Sequence, residues 1–370
     1  MPPLRFVVPA RDGGPSGGDV YDEQVIAAWR REHGPVDVIS LPGSWPHPDA
    51  GERRAVAAAL CKGGVIVVDG LIGSACPAQI EHATAAGATV VLLIHLPLPA
   101  DPALEPAVAD RLAAAEHRAV RAAAAVVATS AWTARDLAAR YGAVDVVIAA
   151  PGTEPAPLTV GDDPPHLLVL GAVSTAKNQE LLLPAFGSLQ DLPWRATFAG
   201  PTTQPEVATR IKRALGETGL RDRIALPGVV TGQEREQLWH RTDLLLVPSL
   251  VETYGLVVTE ALARGIPAIV ARGTGAVEAL FGAPQPSAAH PDPPGAIADP
   301  RDWRSWSRAL RGWLTEPATR ASWRAGALRR REHLPAWDQT AADLRHGLFT
   351  GDGSVRAHRT GGVDTVARRP

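Results

Sequence analysis

Short, continuous apolar runs alternate with Ala- and Arg-rich helical segments along most of this chain, and no other feature limits its possible fold as strongly. The runs show no polar alternation, which is typical of parallel strands covered by helices on both faces. Repeated β-α units with right-handed crossovers form doubly wound, Rossmann-like sheets. The sequence therefore predicts an α/β fold. The strands predicted in the first half cover residues 4–8, 36–39, 65–68, 89–94, 124–128 and 144–149.

A proline-rich segment at residues 150–166 interrupts this alternation, and its five prolines among turn formers indicate an interdomain linker. Strands are predicted again beyond it, at 167–170, 195–199, 223–226, 244–247 and 268–271. We expect two Rossmann-like doubly wound domains that face each other across a cleft, where such sheets bind ligands. The predicted divisions are an N-terminal domain (1–155), a second domain (156–335), a C-terminal helix packing toward the first domain (336–350) and a disordered tail (351–370).

Composition excludes several classes of partner. A net charge of −2 without long basic runs argues against nucleic acid. The longest apolar stretch, 89–98, is too short to span a bilayer, and the N-terminus has no signal-peptide pattern, so we expect a cytoplasmic protein without a transmembrane segment. Peripheral membrane contact stays open. Cys61 and Cys76 have no metal-ligand or disulfide spacing and are interpreted as reduced thiols.

The chemistry is predicted to centre on the segment PSLVETYGLVVTEALARGIP, where a strand leads through a loop into a helix. Glu252 lies in the loop, Gly255 opens the helix and Glu260 lies more than a turn inside it. The backbone N–H groups of Tyr254, Gly255 and Leu256 point outward at the positive end of the helix dipole. Such a helix start binds anions, so the segment predicts a diphosphate site.

This segment resembles glycosyltransferase family 4, the group 1 glycosyl transferases, whose hallmark is two glutamates separated by seven residues, here ETYGLVVTE. The resemblance extends to LLVLGAVSTAKNQELLLPAF, where Gly171 and Lys177 match the glycine and the diphosphate-binding lysine of the family, and to RATFAG and RIALPG. In the first half it is looser and covers DGGPSGG, with Gly17 and Gly18, and VLLIHLPL, with His95.

The resemblance implies a GT-B fold and a retaining enzyme that moves a sugar from a UDP- or GDP-linked donor to a small or lipid-linked acceptor. By the same resemblance Glu260 holds the donor ribose, Glu252 the hydroxyls of the transferred sugar and Lys177 the diphosphate. His95 lies near the sugar, and the loop of Gly17 and Gly18 near the diphosphate. No metal and no cofactor besides the nucleotide sugar are expected, and no Asp-x-Asp pair is available.

One position departs from the family pattern. Family members usually carry arginine directly after the glycine that Gly171 matches, and this chain has Ala172. Another cation must then stabilise the leaving diphosphate, and four arginines stay open for that role: Arg210, Arg213, Arg264 and Arg272. Two other hypotheses stay open: a GT-B nucleotide-sugar epimerase and, because of Ala172, a nucleotide-sugar-binding protein with little catalytic activity.

Overall fold

The computed structural model describes residues 4–10, 16–61, 63–142, 144–282 and 292–350. The chain divides into two compact units. Unit 1 comprises residues within 1–151 and 337–370, and unit 2 comprises residues 152–336.

Unit 1 is built on a wholly parallel six-stranded sheet in the order β2-β1-β3-β4-β5-β6. Two of its inner strands, Val65–Asp69 and Ala125–Ala128, are buried over their whole length, as the continuous apolar runs predict. The strands are β1 (Leu4–Pro9), β2 (Val36–Leu41), β3 (Val65–Asp69), β4 (Thr89–Ile94), β5 (Ala125–Ala128) and β6 (Val146–Ile148). The helices between them are α1 (Gly17–Glu32), α2 (Ala50–Leu60), α3 (Gly70–Gly73), α4 (Pro77–Ala85), α5 (Pro106–Ala122) and α6 (Ala131–Tyr141).

Helix α1 begins earlier than the sequence suggests. Ser16 caps it by accepting a hydrogen bond from the backbone N–H of Asp19 (3.4 Å), and the Asp19 carboxylate accepts one from the backbone N–H of Ser16 (2.7 Å). This reciprocal capping box satisfies two donors at the helix start. Gly17 and Gly18 are therefore the first two residues of a helix, and the expectation that they form a loop is wrong.

Unit 2 holds a second parallel six-stranded sheet, in the order β12-β11-β10-β7-β8-β9. Its strands are β7 (His166–Leu170), β8 (Arg195–Ala199), β9 (Ile224–Gly228), β10 (Leu244–Val247), β11 (Ala268–Ala271) and β12 (Gly295–Ala298). Its helices are α7 (Leu182–Gly187), α8 (Pro205–Glu217), α9 (Gly232–Arg241), α10 (Leu256–Ala263), α11 (Ala276–Phe281), α12 (Trp303–Thr315) and α13 (Pro317–Arg331). The sequence analysis missed β12, which pairs with β11 at the edge of this sheet.

The last described helix, α14 (Trp337–Leu348), belongs to unit 1. It packs on α1, where the ring of Trp337 meets the ring of Tyr21 edge-on at 5.7 Å. Asp338 of α14 forms an ion pair with Arg31 of α1. Thr340 Oγ1 donates a hydrogen bond to the carbonyl oxygen of Ala150 (2.8 Å). The chain thus returns to its first unit after completing the second.

Each unit has its own apolar core. In unit 2, Phe186 and Trp194 stack at 4.6 Å between ring centroids, and Trp306 is fully buried beside them in the same cluster. Across the described ranges, every helix is too short or too polar to cross a membrane. The tail predicted to be disordered, 351–370, lies outside the described residues.

Candidate functional site

In unit 2 the glutamate motif lies at the carboxyl end of β10. Gly255 is the N-cap of α10 and adopts φ +91°, a left-handed conformation that residues with a side chain rarely adopt. A Cβ atom at this position would also lie 3.3 Å from Cγ of Glu252. Glycine is therefore required to turn the loop into the helix while Glu252 stays close to the helix start.

A second glycine, at the start of α11, fixes the same loop. The backbone N–H of Gly275 donates to the carbonyl oxygen of Glu252 (2.6 Å), and a Cβ atom on Gly275 would lie 1.9 Å from the carbonyl oxygen of Thr253. The ring of Tyr254 is buried, and this burial raises its pKa to about 12. Tyr254 thus contributes backbone, and not its phenol, to the surface of the loop.

Lys177 and Glu252 meet although 75 residues separate them. Lys177 follows β7, and β7 pairs with β10, so the loops after the two strands lie at one edge of the sheet. Asn178 fastens them together, because its side-chain amide donates to the carbonyl oxygens of Pro248 (3.0 Å) and Pro300 (2.9 Å). Lys177 Nζ lies 2.6 Å from Glu252 Oε2, and the Lys177 stem passes 3.8 Å from the Cβ position of Gly171.

Glu260, the second glutamate of the motif, also holds a cation. Its Oε2 atom lies 2.6 Å from Nη2 of Arg235, which is on α9, and about a third of each side chain is exposed. No motif or spacing in the sequence singles out Arg235. The sequence analysis missed it because the contact depends on how α9 and α10 pack against the sheet.

The four arginines that could replace the family arginine differ in their neighbours. The carbonyl oxygen of Ala172 accepts a hydrogen bond from the Gln179 side chain (2.7 Å), and the Ala172 side chain is only partly buried. Three of the four arginines form ion pairs with carboxylates: Arg210 with Glu180, Arg264 with Glu236 and, at 3.9 Å between exposed side chains, Arg213 with Glu217. Arg272 follows β11 directly, at the sheet edge that carries the glutamate loop.

In unit 1, His95 follows β4 and is held by two carboxylates. Its Nε2 atom lies 3.0 Å from Asp22 Oδ1 and 3.7 Å from Asp69 Oδ2. Burial lowers the pKa of His95, but Asp22 and Asp69 outweigh burial and raise this pKa to about 9. The imidazole is therefore a cation at neutral pH.

Gly18 and Asp22 bring helix α1 to this histidine. A Cβ atom on Gly18 would lie 3.2 Å from Cδ2 of His95, so the glycine leaves room for the ring. The sequence analysis missed Asp22, although it lies one turn beyond the capping residue Asp19. The ligand atoms of Asp22, Asp69 and His95 lie within 4.8 Å of one another, a spacing that suits a metal ion only when the imidazole is neutral.

Comparison with known proteins identifies the family. The family model described as "Glycosyl transferases group 1" matches residues 135–330, which is more than half of the chain. The chain belongs to this family. Similar curated proteins include the D-inositol 3-phosphate glycosyltransferases of Pseudarthrobacter chlorophenolicus (28% identical over 246 residues) and Kineococcus radiotolerans (30% over 252 residues). Each of the two matches covers 61% of this chain. They cover 56% of the first relative and 57% of the second, so the chain spans little more than half the length of these relatives.

Solved structures agree with the predicted fold. Sucrose-phosphate synthase from Thermosynechococcus elongatus superposes with a TM-score of 0.73 at 17% identity, covering 92% of this chain and 97% of that one. Anabaena HepE in complex with UDP-glucose superposes with a TM-score of 0.70 at 17% identity, covering 92% and 98%. These likenesses and the two parallel six-stranded sheets confirm the prediction of an α/β protein with the GT-B fold.

Proposed function

We propose that this chain is a retaining glycosyltransferase that moves a sugar from a UDP- or GDP-linked donor to a small or lipid-linked acceptor, without a metal or a further cofactor. The observation that carries the proposal is the contact between Lys177 and Glu252 beside the start of α10. It places an ammonium, a carboxylate and a helix N-terminus together, which are the groups needed to hold a diphosphate and the hydroxyls of a sugar.

In this proposal Lys177 and the backbone N–H groups around Gly255 and Leu256 stabilise the leaving diphosphate. Their charges are fixed before the reaction, so they act where negative charge develops as the glycosidic bond breaks. Tyr254 contributes its backbone and Gly171 the room that the Lys177 stem needs. Glu252 accepts hydrogen bonds from the transferred sugar, and Glu260 from the ribose.

The bonds balance without an enzyme nucleophile. The bond between the anomeric carbon and the donor phosphate oxygen breaks, and the acceptor hydroxyl oxygen forms its bond on the same face. The hydroxyl proton moves to the departing diphosphate, which leaves as the nucleoside diphosphate. His95, a charged and partly buried residue of unit 1, is proposed to contact the sugar, with Gly18 keeping space for its ring.

The choice of nucleotide follows from the family and from one neighbour. HepE was solved with UDP-glucose, so UDP and its sugars are the first donors to test, with GDP, ADP and TDP beside them. A cytoplasmic location is part of the same proposal, and the two free cysteines, Cys61 and Cys76, support it.

The experiment has two stages. A thermal-shift screen of the four nucleotides and their sugars identifies the donor, because a ligand that binds only the folded chain raises its apparent stability. Nucleotide release is then measured with and without acceptors, with and without a chelator, and NMR assigns the anomeric configuration of the product. We expect acceptor-dependent release that resists the chelator and gives a product with the donor's configuration. Epimerised sugar without net nucleotide release supports the epimerase hypothesis, and donor binding without turnover supports the binding protein.

A further inference from the structure

Helices α9 and α10 of unit 2 are joined by two ion pairs of opposite direction. Arg235 of α9 lies 2.6 Å from Glu260 of α10, and the next residue of α9, Glu236, lies 2.9 Å from Arg264 at the end of α10. Glu260 and Arg264 are neighbours on one face of α10, because residues four apart on a helix lie one above the other. Each helix thus contributes one cation and one carboxylate.

The pair of Arg264 and Glu236 holds the two helices together. Nη2 of Arg264 lies 2.9 Å from both carboxylate oxygens of Glu236, and the guanidinium lies over the buried ring of Trp239 on α9, 5.1 Å from its centroid. Only 11% of the Arg264 side chain is exposed. A buried guanidinium that stacks on an aromatic ring and bonds to a carboxylate contributes to packing.

The pair of Arg235 and Glu260 is more open. Arg235 is 35% exposed and Glu260 is 29% exposed. Among the residues that the structure describes, Glu260 is the only one with which Arg235 forms a hydrogen bond or an ion pair. Such an exposed pair adds little to stability, so holding the helices together does not explain it.

Arg235 engages only one of the two carboxylate oxygens of Glu260. Its Nη2 atom donates to Oε2, and no residue within the described ranges donates a hydrogen bond to Oε1. An ionised carboxylate has about four acceptor positions on its two oxygens, so the guanidinium leaves room for the two hydroxyls of a ribose. Arg235 therefore does not compete with the ribose for Glu260.

The contact fixes Glu260 before a ligand arrives. A partly exposed glutamate without a partner samples several rotamers, and ordering it on binding costs binding free energy. With Arg235 in place, this cost is met in the folded chain. The hydrogen bonds to the ribose hydroxyls then contribute more fully to nucleotide affinity.

We propose that Arg235 is a positioning residue that fixes Glu260 for the ribose of the donor nucleotide. It thereby strengthens the preference of the site for ribonucleotides over nucleotides that lack the ribose hydroxyls. The inference rests on the proposed function and adds a residue that determines its nucleotide specificity. Because Arg235 acts through Glu260, its effect depends on both the Glu260 carboxylate and the ribose hydroxyls.

The test is calorimetric titration of the full chain with UDP and GDP and with their 2′,3′-dideoxy forms. Arg235→Gln is expected to weaken ribonucleotide binding about three- to tenfold and to leave binding of the dideoxy forms unchanged. In the transfer reaction the donor KM rises while kcat changes little, because ribose contacts are made before the reaction begins. Arg235→Lys keeps a cation and is expected to restore part of the lost affinity.

Glu236→Gln is the matched control. It breaks the other ion pair between the same two helices and leaves the Glu260 carboxylate with its partner. We expect it to leave the ratio of ribonucleotide to dideoxynucleotide affinity at the wild-type value. Equal losses in Arg235→Gln and Glu236→Gln, or equal losses for the ribo and dideoxy forms in Arg235→Gln, overturn the proposal, because both results indicate a general effect on the fold.

A double variant tests whether Arg235 acts through Glu260. In a chain that already carries Glu260→Gln, adding Arg235→Gln is expected to cause no further loss of ribonucleotide affinity. A further loss of the same size overturns the positioning role. The proposed function fails separately: if the wild type binds neither UDP nor GDP, the donor assignment is wrong and the inference fails with it. Binding whose ratio is the same in wild type and Arg235→Gln refutes the inference alone.

Discussion

Lys177 and Glu252 are predicted to change nucleotide affinity in opposite directions. Lys177 Nζ lies 2.6 Å from Glu252 Oε2, so a diphosphate must compete with this carboxylate for the ammonium. Lys177→Ala removes the cation and is expected to weaken UDP or GDP binding. Glu252→Gln removes the competing charge and is expected to tighten binding of the free nucleotide, although it slows transfer.

The magnitudes follow from exposure and charge. Loss of one preorganised group that stabilises developing charge costs about 100- to 1000-fold in kcat, or roughly 3–4 kcal/mol. The ion pair itself is partly exposed, with a third of Lys177 and 13% of Glu252 accessible, so its loss lowers the free energy of unfolding by only about 1 kcal/mol or less. The Glu252 carboxylate and a phosphate charge placed about 6 Å from it would repel each other by about 3 kcal/mol at an effective dielectric constant of 20. Solvent screening reduces the gain from Glu252→Gln to roughly 1 kcal/mol, or about fivefold in nucleotide affinity.

The assay is calorimetric titration of each variant with the nucleotide, together with steady-state kinetics. Lys212→Ala is the control, because Lys212 is an exposed lysine on α8. The reasoning is refuted by equal kcat losses in Lys177→Ala and Lys212→Ala, or by weaker nucleotide binding in Glu252→Gln.

Three further substitutions probe the donor site. Glu260→Ala is expected to raise the donor KM while changing kcat little, because ribose contacts are equal in the ground and transition states; an unchanged KM contradicts the ribose role. Ala172→Arg is expected to tighten nucleotide binding, since the Ala172 side chain is partly exposed and a guanidinium can contact two phosphate oxygens; titration at two salt concentrations checks this, and unchanged affinity means that residue 172 does not face the diphosphate. Gly255→Ala is expected to destabilise the fold by about 1–2 kcal/mol, because its φ of +91° strains any residue with a side chain; urea unfolding that matches wild type contradicts this.

The fold could be predicted because every central strand is a continuous apolar run, and such runs indicate parallel sheets whatever helices cover them. Strand β12 was not predicted, because Gly295–Ala298 is a four-residue run of Gly, Ala and Ile with only one of the β-branched residues that favour strands. It is fixed by its pairing with β11, which is a property of the folded sheet. Gly17 and Gly18 were predicted to lie in a loop, because glycine is a poor helix former. In the structure the capping box of Ser16 and Asp19 starts a helix at these residues and outweighs that preference.

The candidate site could be predicted where its residues are local in sequence or match a motif of the family. Glu252, Gly255 and Glu260 lie in one loop and helix, so their spacing is informative. The partners of these residues come from elsewhere. Arg235 reaches Glu260 from another helix, and Asp22 reaches His95 across 73 residues, so neither contact leaves a pattern in the chain.

The charge on His95 gives a prediction for stability against pH. The pKa of His95 is about 9 in the folded chain, against 6.5 for an ordinary histidine, because Asp22 and Asp69 favour the imidazolium over the opposing effect of burial. A pKa raised by folding adds stability that is fully present below pH 6.5 and is lost as pH rises through about 9. A shift of this size corresponds to at most about 3 kcal/mol. We expect His95→Gln to remove that share, so that the difference between wild type and variant in free energy of unfolding shrinks from pH 6 to pH 9.5.

Urea unfolding of the full wild-type and variant chains at several pH values measures this difference. Subtracting the variant's free energy of unfolding from that of the wild type removes the contribution of titratable groups that both proteins share. His47→Gln is the control, because His47 is an exposed histidine of the same unit. Its difference from wild type is expected to stay constant across the range. A constant difference for His95→Gln as well would mean that the imidazole is neutral in the folded chain, and the proposed role of a charged histidine beside the sugar would then be wrong.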